Sequence, residues 1–162
     1  MSDDELMAEA RKFEQNLLNF FWRQGVSHFE GEDLVQETYM RLWKYRREYE
    51  PSAKLSTFLF LLARQVRIDA LRRQTRRERR EEQWGREQPA VQTPPETCAK
   101  EDVRWAVAQL TDPLREVVEL GIFQELPYAE VSAILGIPVG TVKSRMSNAI
   151  KKLKEVLDDK GS

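Results

Sequence analysis

Asp33 and Glu37 are separated by the spacing that puts two carboxylates on one face of a helix, as a metal pair requires. No further ligand cluster accompanies them. The chain has one histidine, His28, and one cysteine, Cys98, so neither a Cys/His zinc cluster nor an internal disulfide can be assembled. His28 lacks a Ser, Cys or metal-ligand companion and reads as part of an interhelical loop. Cys98 reads as a small surface residue, because nothing near it in the sequence lowers a thiol pKa. Neither catalysis nor a metal, a cofactor or a small-molecule substrate is expected of these residues.

The chemistry the sequence does carry is the binding of anions. Between Arg64 and Arg80 eight arginines stand against Asp69 and Glu78. Arg64, Arg67, Arg72, Arg73, Arg76 and Arg77 prolong a helix past its apolar part, giving an exposed surface that a phosphate backbone would satisfy. A solvated charge run is the other reading. Near the C-terminus Thr141, Lys143, Ser144, Arg145, Ser147, Asn148 and Lys151 lie between apolar positions and offer donors for phosphates and base edges. An ordinary solvated helix face is the alternative there. Tyr45, Tyr49, Phe58 and Phe60 flank the loop at 51–57. An exposed aromatic beside a basic surface can stack on unpaired bases, a role left to Tyr49, while Phe58 and Phe60 are expected in the core.

Charge is unevenly distributed beneath a formal net charge of −1. From Met1 to Glu37 nine acidic residues face three basic ones. Asp33, Gln36, Glu37 and Arg41, with Trp43 beside them, cannot form a DNA face, because the carboxylates repel phosphate. A protein partner or simple solvation remains for that surface.

These groups must be positioned by helices. Leu6, Ala10, Phe13, Leu17 and Phe20 recur at helical spacing behind a Ser2/Glu5 capping box, predicting one first helix. After a break at 25–31, Asp33 precedes a second pattern, Leu34, Val35, Tyr39, Leu42 and Trp43, expected to reach Tyr49 before Pro51. A third run starts near Leu55, carries Phe58, Leu59, Leu62, Val66 and Ala70 on one face, and continues to about Arg86. The stretch Glu87, Gln88, Pro89, Ala90, Val91, Gln92, Thr93, Pro94, Pro95 has no helical period and reads as a flexible tether. Beyond it, Thr93 with Glu96 would cap a helix carrying Val103, Val107 and Leu110. Asp112 would cap the next, with Pro113 at its first position and Leu114, Val117, Val118 and Ile122 inward. A short helix from Pro127 to Leu135, a turn at Gly136, Ile137 and Pro138, and a last helix with Val139, Val142, Met146, Ile150, Leu153 and Leu157 inward give a helix-turn-helix. The fold class is all-α: two small helical domains joined by a flexible linker.

Three segments carry a family resemblance. Asp33, Leu34, Val35, Gln36, Glu37, Thr38 resembles the polymerase-binding segment of sigma region 2. Ala63, Arg64, Gln65 leading to Ile68, Asp69, Ala70, Leu71, Arg72, Arg73 looks like its promoter-reading helix. Leu135 to Arg145 is similar to the helix-turn-helix of region 4. The resemblance is to the extracytoplasmic-function (ECF) branch of the RNA polymerase sigma factors. It implies region 2 over residues 1–84, a linker over 85–98 and region 4 over 99–162. Asp33, Gln36, Glu37, Arg41 and Trp43 would bind core RNA polymerase. Tyr49, Lys54, Ser56, Thr57, Arg64, Gln65, Arg67, Arg72, Arg73 and Arg76 would take the −10 element of promoter DNA, and Thr141, Lys143, Ser144, Arg145, Ser147, Asn148 and Lys151 the −35 element. An anti-sigma factor is an implied further partner. Gln65 stands where asparagine is frequent, and Asn148 and Ile150 where arginines often lie, so an unusual promoter preference is expected.

The longest apolar run, Phe58 to Ala63, is far too short for a membrane span. Met1, Ser2, Asp3, Asp4 and Glu5 are acidic where a signal peptide would be basic. A cytoplasmic protein without membrane insertion is expected. Two other readings stay open from the residues alone: a helix-turn-helix regulator acting without polymerase, and a metal-dependent nucleic-acid enzyme using Asp33 and Glu37.

Overall fold

The computed structural model describes residues 1–50, 54–84 and 98–161, and among these every regular element is a helix. The expected tether at 85–97 lies outside the described residues, as does the Thr93/Glu96 cap. No described helix is long and apolar enough to cross a membrane.

Helix α1 (Asp3–Arg11) starts with the predicted box: Glu5 N donates to Ser2 Oγ at 3.2 Å and Ser2 N to Glu5 Oε2 at 3.3 Å. The single first helix of the sequence reading is in fact two. At Lys12 and Phe13 the backbone N–H groups bond Glu9 O and Ala10 O, a tighter i→i−3 pattern, and α2 (Glu14–Arg23) starts after it. Helix α3 (His28–Lys44) begins at a Ser27 cap, whose Oγ accepts from Glu30 N at 3.1 Å, and ends before Tyr45. It therefore starts ahead of Asp33, places His28 in its first turn instead of a loop, and holds Gly31 buried within it. Helix α4 (Leu55–Trp84) is the predicted long one, with Leu59, Phe60, Leu62, Ala63 and Val66 buried along its first half.

In the C-terminal half, α5 (Cys98–Ala108) leads to α6 (Asp112–Val118), whose cap is Thr111; Asp112 is its first residue. Helix α6 runs into a π-helical turn, Glu119–Phe123. That turn advances the helix by an extra residue per hydrogen bond. The expected inward Ile122 consequently faces out, and Glu119 goes in. Helix α7 (Tyr128–Leu135) closes on Gly136 at φ +68°, the left-handed region that favours glycine, and Gly136 N bonds Ser132 O at 2.9 Å. Helix α8 (Val139–Gly161) then sets off with Val142, Met146 and Ala149 buried. Val139, Ile150 and Leu157, expected inward, are substantially exposed, because the contact stripe passes through Ala149.

Helix α3 packs on α2 and α4, and α8 on α6 and α7. Phe20 joins the first group through Phe60, with ring centroids 5.6 Å apart. The halves also touch: α4 packs against α7, and α2 against α5.

The register of α8 can be checked by chemical denaturation. Ala149→Leu overfills a fully buried position and should cost about 1–3 kcal/mol, whereas Ile150→Ala, at 38% exposure, should stay within about 0.5 kcal/mol of the parent. The reverse order would restore the inward Ile150.

Candidate nucleic-acid and polymerase interfaces

Helix α3 presents Asp33 and Gln36 fully to solvent, next to Met40 at 70% exposure and Trp43 at 45%. Exposed apolar groups among carboxylates suit a protein surface and not a polyanion. Glu37 and Arg41, expected as free members of this face, are half-buried and bonded. Arg41 bridges Glu37 at 3.0 Å and Asp69 at 2.8 Å, and Arg73 reaches Glu37 at 3.3 Å. Burial alone would lower the Arg41 guanidinium, but hydrogen bonds and charge from Asp69 and Glu37 outweigh it and raise its pKa above the ordinary value. The polymerase candidates and the basic helix are thus stitched together by a ladder between α3 and α4. The Asp33/Glu37 pair shares its helix face as expected, and among the described residues no cluster of three metal-ligating side chains forms.

On α4 the −10 candidates divide into two sets. Gln65, Arg72, Arg73 and Arg76 are exposed, with Arg72 3.9 Å from Asp69. Arg72, Arg73, Arg76 and Arg79 line an open basic groove with Arg41 at its edge. Lys54, Arg64 and Arg67 point the other way, toward the C-terminal half. Lys54 Nζ lies 3.1 Å from Glu130 of α7, and Arg64 Nε 2.9 Å from Glu116 of α6. Arg67 is half-buried, its Nε sealed from solvent without a hydrogen-bond partner, and burial lowers its pKa. Ser56 and Thr57 are half-buried, and the Thr57 hydroxyl is enclosed, so Thr57 is not a free donor for DNA in this conformation. Tyr49 is half-buried with its ring 5.6 Å from that of Phe58, in place of the open stacking surface expected.

On α8, Lys143, Ser144, Ser147, Asn148 and Lys151 are exposed together, while Thr141 and Arg145 are half-buried at the same face. Ser144 Oγ donates to Thr141 O at 3.2 Å. The left-handed Gly136 turn and the buried Val142, Met146 and Ala149 aim this face outward near the helix N-terminus.

Sequence reasoning missed the seam between the halves. Arg23 clasps Glu119 with two bonds, Nε to Oε2 at 2.6 Å and Nη2 to Oε1 at 2.8 Å. Glu119 is 3% exposed, and burial pushes its carboxyl pKa up against the opposing pull of Arg23 and Gln124. Gln124 also exchanges bonds with Asn16, and Arg104 stacks 4.6 Å over Trp22 while reaching Val26 O at 3.3 Å. A carboxylate inside the apolar run Val117, Val118, Glu119, Leu120 was the available signal.

Residues 10–77 match the family model for sigma-70 region 2, and residues 100–153 that for sigma-70 region 4. The ECF RNA polymerase sigma factor SigK of Mycobacterium tuberculosis is 33% identical over 136 residues, covering 79% of this chain and 72% of its own length. The chain belongs to the ECF sigma factor family. RpoE of Cereibacter sphaeroides, another ECF RNA polymerase sigma factor, is 29% identical over 157 residues, 94% of this chain and 87% of that one. Among solved structures, RpoE of Bartonella quintana, crystallised with the anti-sigma factor NepR, aligns at 26% identity and a TM-score of 0.70, covering 94% and 92% of the two chains. CnrH, in complex with the cytosolic domain of CnrY, shares the fold at 22% identity and a TM-score of 0.71 over 97% of each chain. As a sigma factor, this protein binds core RNA polymerase and directs it to promoters for initiation.

The Glu37–Arg73 rung of the α3–α4 ladder is partly open to solvent, and its energetics should show it. A double-mutant cycle on Glu37→Ala and Arg73→Ala, followed by urea unfolding, should return a coupling of about 0.2–1 kcal/mol. A larger coupling would make the ladder a determinant of the fold.

Proposed function

We propose that residues 1–84 act as region 2, residues 99–162 as region 4, and 85–98 as the linker between them. In this reading α3 docks on polymerase through Asp33, Gln36, Glu37, Arg41 and Trp43. The arginine face of α4 with the Tyr49 loop takes the opened −10 strand, and α8 enters the major groove at −35 through Thr141, Lys143, Ser144, Arg145, Ser147, Asn148 and Lys151.

The observation that carries the reading is the separation of surfaces. One side of the N-terminal half offers carboxylates with exposed Met40 and Trp43, while another offers Arg72, Arg73, Arg76 and Arg79 around one groove. The first suits an enzyme surface, the second a phosphate backbone. Two modest DNA contacts held at promoter spacing by polymerase act as one strong contact, so spacing becomes part of recognition. Opening the duplex costs a few kcal/mol per unstacked base, to be offset by stacking and by capture of an extruded base.

The chain supplies binding and no catalysis; the chemistry is the polymerase's, and the site of action is the cytoplasm. An anti-sigma factor is the expected antagonist. The co-crystal of the Bartonella relative with NepR supports this, as does an α3 face that a second protein would cover.

Reconstituted holoenzyme and run-off transcription on genomic fragments test the whole reading. Asp33→Arg with Gln36→Ala should abolish initiation while leaving stability within about 0.5 kcal/mol, since both side chains are exposed. Lys143→Ala should relax discrimination at one −35 position by about 1–3 kcal/mol. Lys151→Ala should weaken binding to all promoters alike and reduce the salt slope by about one. A footprint without core polymerase, on a palindromic site, would sink the reading in favour of a free-standing regulator.

A further inference from the structure

Among the described residues three ion pairs cross between the halves, and all have the same polarity. The cations Arg23, Lys54 and Arg64 come from the N-terminal half. The carboxylates Glu119, Glu130 and Glu116 come from the C-terminal half. Two of those cations, Lys54 and Arg64, are candidates for the −10 strand, and so is Arg67, which is half-buried in the same seam. Glu116 and Glu130 therefore stand where phosphates would stand.

We infer that the free sigma factor holds itself shut through an internal acidic surface, with Glu116 and Glu130 of region 4 occupying Arg64 and Lys54, two of the promoter-strand cations of region 2, and the Arg23–Glu119 pair closing the seam beside them. The inference rests on the assignment of Lys54, Arg64 and Arg67 to the −10 strand. The chemistry of the occupant is that of a polyanion mimic: carboxylates at 2.6–3.1 Å from guanidinium and ammonium groups that otherwise meet phosphate. An arginine clasping a carboxylate has its charge neutralised and two of its five N–H donors engaged, so it attracts a phosphate less.

The build of the seam suits a contact that opens. A cavity of about 410 Å³ lies within it, lined from one side by Phe20, Arg67 and Leu71 and from the other by Pro113, Glu116 and Leu135. Arg67 Nε and Glu130 Oε2 are buried there without hydrogen-bond partners. A space of that size leaves the two sides of the seam less closely packed than a domain core. Meanwhile Asp33, Gln36, Met40 and Trp43 on α3, and the outer face of α8, stay exposed in the closed form. Polymerase can thus grip α3 before the seam parts, and Lys54, Arg64 and Arg67 become available only afterwards, beside the already exposed Arg72, Arg73 and Arg76.

The full-length protein tests this with small-angle scattering for compactness, anisotropy with a fluorescein-labelled single-stranded oligothymidylate at low salt, and association with core polymerase. Glu116→Gln combined with Glu130→Gln leaves the buried Glu119 intact and so spares the fold. It should enlarge the radius of gyration and tighten oligothymidylate binding about tenfold, as expected for lost competition from close charge pairs. Adding Glu119→Gln should increase both effects, with circular dichroism reporting retained helix. The exchanged pair Arg64→Glu with Glu116→Arg should return the compact scattering without the tightened DNA binding.

If the double and triple variants keep the wild-type scattering and DNA affinity while the wild type still associates with core polymerase, the shut state is refuted and the sigma assignment stands. If the wild type fails to associate with core polymerase, the assignment on which the inference rests falls, and the inference with it. Expansion without any gain in oligothymidylate affinity also overturns it, since the carboxylates would then be cementing the halves without shielding a nucleic-acid face.

Discussion

The arrangement of this protein hangs on one buried carboxylate. Glu119 sits in the apolar run of α6 and its π-helical extension, 3% exposed, where an ion loses nearly all its hydration. Desolvation of a charge costs several kcal/mol in real proteins, and a partner recovers it only with excellent geometry and further hydrogen bonds. Arg23 supplies that geometry in two-pronged form, and Gln124 adds a third bond at 3.0 Å. The π turn is what makes this possible: by shifting the helix phase it brings Glu119 inward toward Arg23 and releases Ile122 to the surface. Arg23 in turn stacks 4.1 Å over the Phe123 ring, so the turn holds both its anion and its cation. Such pairs are weak sources of net stability but strong sources of orientation, because every other alignment of the halves would strand a buried charge.

Around that anchor the electrostatics are sorted by partner. Carboxylates and exposed apolar groups on α3 look outward, away from nucleic acid; arginines crowd the far half of α4; hydroxyls, amides and lysines gather on α8. The ladder through Glu37, Arg41, Asp69 and Arg73 joins the first two regions without merging them. It fixes the angle between the acidic face of α3 and the arginine face of α4.

How much of this was legible beforehand depended on range. Helix α4 was readable because Leu59, Leu62 and Val66 repeat on one stripe, and α7–turn–α8 because Gly136 falls where a left-handed residue is needed. The break at Lys12 and Phe13 is invisible in the sequence, since it preserves the apolar period from Leu6 to Phe20. The start of α3 was misplaced because Ser27, a good cap, was read as part of a glycine-bearing loop. On α8 the helical spacing from Met146 fits Ala149 and Ile150 equally well, and the structure buries Ala149 and leaves Ile150 at the surface. The π turn defeated periodicity outright, since a 3.6-residue count cannot register an inserted residue. The seam was beyond reach for a different reason. Arg23 and Glu119 are 96 residues apart in sequence, and no local spacing rule connects them.

The same long-range pairing sets the energetic scale of the closed form. The Lys54–Glu130 and Arg64–Glu116 pairs are partly solvent-exposed, and such pairs contribute roughly 0–1 kcal/mol each. Against them stands the half-buried Arg67 guanidinium, whose charge is disfavoured by burial. Two halves on one chain face each other at high effective concentration, so even a poor seam closes when nothing competes. A partner need only offer α3 and α8 more than this small surplus to hold the halves apart. An enzyme surface together with a promoter offers both at once, whereas DNA alone, meeting region 2 with Lys54 and Arg64 already taken, does not. Tight joining would defeat the protein's task and no joining would leave its arginines open to any polyanion; a charged, underpacked seam lies between these limits.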